Sequence, residues 1–113
     1  MGGSDFYEQY VGTKSPAEAF KELVDNAIYE YGHGGYSGTI KEKDGYRLLT
    51  VPSDVNIQDF IEHNLEANDK WGPAFCVELK GKELEDIKKR YRMDKEPYSN
   101  KVRAYVFFGI ASC

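Results

Sequence analysis

A chain of 113 residues, 41% hydrophobic and 30% charged, is long enough for one domain with its own core (residues 1–113) and too short for two, and it needs no disulfide or metal to fold. Its formal charge of −4, from 15 Lys and Arg against 19 Asp and Glu, argues against a DNA or RNA partner, because phosphate binding rests on clustered positive charge. No apolar run approaches the roughly 20 residues that span a bilayer, and the N-terminus lacks a signal peptide's basic start and apolar stretch, so the expectation is a cytoplasmic protein without a membrane partner.

Asp5 to Val11 is aromatic-rich and reads as a first strand. Ser15-Pro16-Ala17-Glu18 then supplies an N-cap, a proline at the first helical position and a glutamate three residues after the cap. Phe20, Leu23, Val24, Ala27, Ile28 and Tyr31 follow at spacings of three and four, one apolar stripe of a helix that Gly32 ends. A glycine-rich passage, residues 32–38, leads into Thr39 to Lys43, Asp44-Gly45 and Tyr46 to Val51. Asp-Gly between two strand-like runs predicts a two-residue hairpin, since both turn residues must tolerate positive φ. A second helix is expected from a cap within Ser53–Asn56 to about Asn68, with Ile57, Phe60, Ile61 and Leu65 inward.

Asp69 to Pro73 reads as a loop, and Ala74 to Lys80 as a half-buried strand with Phe75, Val77 and Leu79 on one side. Lys82 to Met93 is expected to be a third, charged helix with Leu84, Ile87 and Tyr91 inward, and Pro97 to Asn100 a loop. Val102 to Ala111, the most apolar run, should be a central strand. The order βαββαβαβ points to an α+β, two-layer sandwich: a mainly antiparallel sheet of about five strands with two to three helices on one face.

The basic run Lys88-Lys89-Arg90-Tyr91-Arg92 is bracketed by acids and reads as a solvated helix face. Cys76 and Cys113 show no metal-ligand spacing and read as free thiols, Cys76 packing as a small apolar group. His33 and His63 sit in no metal-binding pattern, and no cofactor or metal is expected.

Two stretches exceed what folding alone demands. A helix-to-strand connection needs one or two glycines, yet residues 32–38 carry four. Such a loop serves either close backbone approach to a ligand, with His33, Gly34, Gly35, Tyr36, Ser37 and Thr39 in contact, or tight packing against neighbouring backbone. It leaves a helix C-terminus rather than entering an N-terminus, so it is no Walker or Rossmann phosphate loop. The only tryptophan, Trp71, lies beside Lys70 before Gly72-Pro73. It either stacks on a flat ligand or caps the core.

The stretch Tyr31 to Ile40, with Asp69 to Ala74 and the closing Phe107 to Ser112, resembles a family of small uncharacterised proteins of bacteria and their phages. The resemblance carries no activity; it implies a bacterial or host-cell cytoplasm and makes a counter-defence role reasonable.

The leading expectation is therefore a binding domain for a small polar or aromatic ligand such as a nucleotide, a sequestered defence signal being one such ligand, held by the loop residues above together with Lys70 and Trp71. The alternative is a protein-interaction or inhibitor module presenting an acidic, tyrosine-rich surface to a host protein. The third is a small enzyme with His33 as acid or base. No catalytic residue is assigned, and a homo-oligomer is left open.

Overall fold

The computed structural model describes residues 3–31, 40, 43, 45–52, 54–68, 72–92 and 101–112. In chain order they form β1 (Gly3–Gly12), α1 (Pro16–Tyr31), β2 (Tyr46–Leu49), α2 (Ile57–Leu65), β3 (Ala74–Leu79), α3 (Gly81–Arg90) and β4 (Arg103–Ser112). The class is α+β, and the four strands pair in the order β1-β4-β3-β2.

The local signals behave as their chemistry requires. Ser15 caps α1 through its Oγ, which accepts from Glu18 N–H at 3.4 Å and donates to the Glu18 carboxylate at 3.1 Å. Asn56 caps α2, its Oδ1 accepting from the N–H groups of Gln58 and Asp59 at 2.8 and 3.3 Å. β4 takes the central place expected of the most apolar run, antiparallel to β1 on one side and to β3 on the other.

Several features differ from the sequence expectation. The described sheet has four strands rather than about five. Most of the expected Asp-Gly hairpin, Thr39, Lys41, Glu42 and Asp44 included, lies outside the described residues, but Ile40 lies in a short 3₁₀ turn closed by the Lys43 N–H to the Ile40 carbonyl at 3.0 Å. Tyr46–Leu49 instead pairs in parallel with Ala74–Val77, so the sheet is mixed. A parallel pair needs a crossover, which α2 supplies. Tyr91, expected inward on α3, is the residue after the helix and is 48% exposed.

The helices also cover both faces, not one. Ala19, Phe20 and Ala27 of α1 pack against Phe6, Tyr10, Cys76, Tyr105 and Phe107 on one face. Ile61 of α2 packs with Val77 and Phe108, and Ile87 of α3 with Leu79 and Ala104, on the other. The result is three layers. It explains why β3 is buried on both sides: Cys76 is fully enclosed on the α1 face while Val77 and Leu79 fill the opposite one. Alternation of Cys and Glu with apolar residues looked like one wet face, but a buried cysteine behaves as a small hydrophobe. Burial, then the neighbouring Glu78, pushes its thiol pKa up to about 12, which leaves it un-ionised and inert at neutral pH. His63 lies exposed in the last turn of α2.

Candidate functional site

One end of the sheet gathers the start of β1, the close of β4 and the entries to β2 and β3. Its polar centre is Asn68, just beyond α2 and only 6% exposed. Asn68 Oδ1 accepts from Ile110 N–H at 2.8 Å and from Lys43 Nζ at 3.1 Å, while its Nδ2 donates to the Pro73 carbonyl at 3.0 Å. Lys43, 3% exposed, also donates to the Gly72 carbonyl at 3.0 Å. An ammonium so deeply placed must be solvated by protein oxygens, and these do that work.

Asn68 reaches the sheet because Gly109 has no side chain. A Cβ there would meet Asn68 Oδ1 at 2.5 Å and Cγ at 2.9 Å. A short strut completes the assembly: Ala74 N–H donates to the Gly45 carbonyl at 2.9 Å, setting β2 and β3 in register.

All the residues expected from sequence to contact a ligand lie outside the described residues: His33, Gly34, Gly35, Tyr36, Ser37 and Thr39 in segment 32–39, and Lys70 and Trp71 in segment 69–71. Lys43, shortly after the first segment, bonds both described flanks of the second. Segment 32–39 runs between Tyr31 at the end of α1 and Ile40, which is buried against α1. Segment 69–71 runs between Asn68 and Gly72, the two residues that Lys43 joins. Sequence reading missed Lys43 and Asn68. A usable signal was Gly109, a lone glycine inside the most apolar strand, which marks close approach by another group.

A different concavity, about 430 Å³, opens at the carboxyl ends of β2 and β3. Leu48, Val51, Val55 and Ile57 give it an apolar wall, and Glu78, Lys80 and Glu83 a mixed charge. Such strand ends are the usual ligand position in open α/β sheets, but here Glu78 already forms two bonds with Arg103, at 3.2 and 3.4 Å. Among the described residues no group of three His, Cys, Asp or Glu could hold a metal ion, and no helix is long and apolar enough to cross a membrane.

Compared with family models, curated proteins and solved structures, the chain matches none.

Proposed function

We propose that this chain is a small binding domain whose ligand, a polar aromatic molecule of the nucleotide class, is held between segments 32–39 and 69–71. The observation that supports it is the Lys43–Asn68 node, which fastens the chain just after the first segment to both flanks of the second. Two loops with a common base act as one clamp, and clamps built on a rigid support lose less entropy on binding. In this reading Tyr36 and Trp71 stack on the flat group, while His33, Ser37, Thr39 and Lys70 meet its polar edge and the amides of Gly34 and Gly35 approach it closely. Stacking of this kind contributes about 1–3 kcal/mol per base, enough to matter at micromolar affinity. Sequestering a signalling nucleotide would need no catalytic group.

Trp71 is the only tryptophan, so its fluorescence reports directly. Titration with mono-, di- and cyclic nucleotides should give a saturable change for at least one class, and denaturing the purified protein should release a small molecule detectable by mass spectrometry. A flat titration across the panel together with an empty release experiment would end this reading.

A second reading, an interaction module, is favoured by a separate observation. Tyr7, Tyr29 and Tyr91 are 48%, 92% and 48% exposed, and large exposed aromatics characterise protein interfaces.

A further inference from the structure

β1 is an edge strand. It pairs with β4 one residue for one, from Gly3↔Ser112 to Gly12↔Arg103, without a bulge, and among the described residues its other side carries no strand. Ten residues of free edge span roughly 34 Å. Natural edges are blunted by proline, lysine or other charges, bulges or brevity; GSDFYEQYVG has no proline, lysine or bulge, and its charges are Asp5 and the half-buried Glu8.

The ground beside this edge is shaped on both faces. Toward α1 lies a cleft of about 400 Å³ lined by Gln9, Tyr10, Val11, Leu23, Asn26 and Tyr91. Toward α2 lies one of about 490 Å³ lined by Tyr7, Glu8, Gln9, Gln58, Ile61 and Val106. Exposed tyrosines stand at both clefts. Tyr7 is on β1 and Tyr91 lines the first cleft. Tyr29 shares the helical stripe of Glu22 and Asn26, and its neighbour Glu30 lies close enough to Glu8 to help burial raise that carboxyl's pKa.

Charge along the edge is dipolar. Asp5 and Glu62 lie near Tyr7, whereas exposed Arg90 and Arg92 adjoin in sequence Tyr91, which lines the cleft at Gln9 and Val11 together with Glu22, itself paired with Lys14 at 3.3 Å. A dipolar edge is self-complementary under a two-fold axis, which sets the acidic end of one copy against the basic end of the other.

We propose that β1 is a dimerisation edge, pairing antiparallel with β1 of a second copy about a two-fold axis at Tyr7. This rests on the interaction reading and not on the two-loop clamp. The register sets Tyr7 opposite Tyr7, Phe6 opposite Glu8, Asp5 opposite Gln9 and Gly3 opposite Val11. Aromatic cross-strand pairs stabilise a sheet, and like charges directly opposite destabilise it. A two-fold at Glu8 would put two carboxylates face to face, and one at Gln9 would shorten the pairing to Phe6–Gly12. The Tyr7 register leaves the two Glu8 side chains on a diagonal, roughly 7–8 Å apart, a residual repulsion that Glu8→Gln removes.

Light scattering on the eluting, ligand-free protein should give twice the chain mass of 12.9 kDa. Tyr7→Lys, which puts two ammonium groups opposite each other, should weaken the dimer by about tenfold or more, and Glu8→Gln should tighten it. In a Cys113→Ser background, Tyr7→Cys should cross-link two copies on oxidation and Gln9→Cys should not; Cys76, fully buried, does not compete. The cross-linking decides the matter even if Tyr7→Lys fails to fold. A monomer mass from micromolar to millimolar concentration overturns the proposal, and so does a monomer that instead captures an extended basic peptide. Equal cross-linking at positions 7 and 9 overturns the register and with it the proposed two-fold. Nucleotide titration of Tyr7→Lys is unaffected if the clamp stands, so the two readings fail separately.

Discussion

The two ends of the sheet are tied by opposite means. At the end where α1 begins, the ties are short and aromatic. Tyr105 Oη donates to the Lys14 carbonyl at 3.1 Å, Tyr10 Oη accepts from the Lys14 N–H at 3.2 Å, and the two rings meet edge to face at 6.0 Å. Arg103 and Glu78 close that end with an exposed ion pair at 3.2 Å. At the other end a lysine and an asparagine, both buried, hold three chain segments together from 25 to 42 residues apart in sequence. Neutral hydroxyl bonds on a regular scaffold are cheap to lose one at a time. A buried amide that serves an ammonium and two backbone groups fails all at once. The difference indicates where the chain accepts risk: at the end from which the glycine-rich and tryptophan segments depart.

The comparison breaks most sharply at Asn68. Asn68→Ala removes together the bonds to the Ile110 N–H and the Pro73 carbonyl and one bond of Lys43, which keeps the Gly72 carbonyl, and should cost about 3 kcal/mol or more, since buried groups that lose a partner carry a desolvation penalty. Urea unfolding at neutral pH measures it. A loss no larger than that of a single surface hydrogen bond would mean the node is not a unit.

Gly109→Ala tests the same node from the strand side. A methyl at 2.5 Å from Asn68 Oδ1 must displace the amide that serves Lys43, with a cost of about 1–3 kcal/mol as overpacking. In the binding reading, this variant also weakens nucleotide affinity by separating the bases of the two segments. Retained affinity with lost stability would detach the node from function.

These two residues also mark the limit of what the sequence discloses. Helix α1 is legible because its determinants are local: Ser15 and Glu18 three apart, then an apolar stripe. The centrality of β4 is legible because an uninterrupted apolar run has to be covered on both faces. The parallel place of β2 is not legible because the Asp44-Gly45 signal is local and the partners of β2 are distant. Lys43 is drawn to Asn68 and Gly72, and Tyr46 packs edge to face on Phe107 with ring centres 5.6 Å apart, so β2 lies beside β3. The second helical layer escapes for a related reason. Cys76 looks polar in an alternating strand, and only the arrival of α1 above it shows that its side is dry. As for the site, the segments stand out by composition while their common base does not, because a lysine's burial depends on oxygens supplied from elsewhere in the chain.

At the aromatic end, Tyr105→Phe removes one hydrogen bond to the Lys14 carbonyl and leaves the ring in place. It should cost about 1 kcal/mol at neutral pH, the usual net worth of a neutral bond, roughly a third of the Asn68 effect. Equal losses at the two ends would erase the contrast between them.

The smallest effect is a pH dependence confined to this end. Burial, foremost, holds the Tyr105 phenol above its ordinary value of 10.0, at about 12. Glu78, Cys76 and Tyr10 act in the same direction and Arg103 against it. An acid whose folded pKa is raised binds its proton more tightly in the native state. Its contribution is therefore complete below pH 10, declines as pH rises from there, and is exhausted near 12. At pH 10.5, only just above the ordinary value of 10.0, the loss is a fraction of a kcal/mol. Tyr7 and Tyr46 are raised as well, which gives the wild type a background slope that Tyr105→Phe keeps. The measurable quantity is the difference between the two proteins: urea midpoints at pH 7 and pH 10.5 should converge as pH rises, because the wild type loses a stabilising proton that the variant never had. Midpoints that move in parallel would mean that the Tyr105 hydroxyl ionises as freely in the folded chain as in the unfolded one.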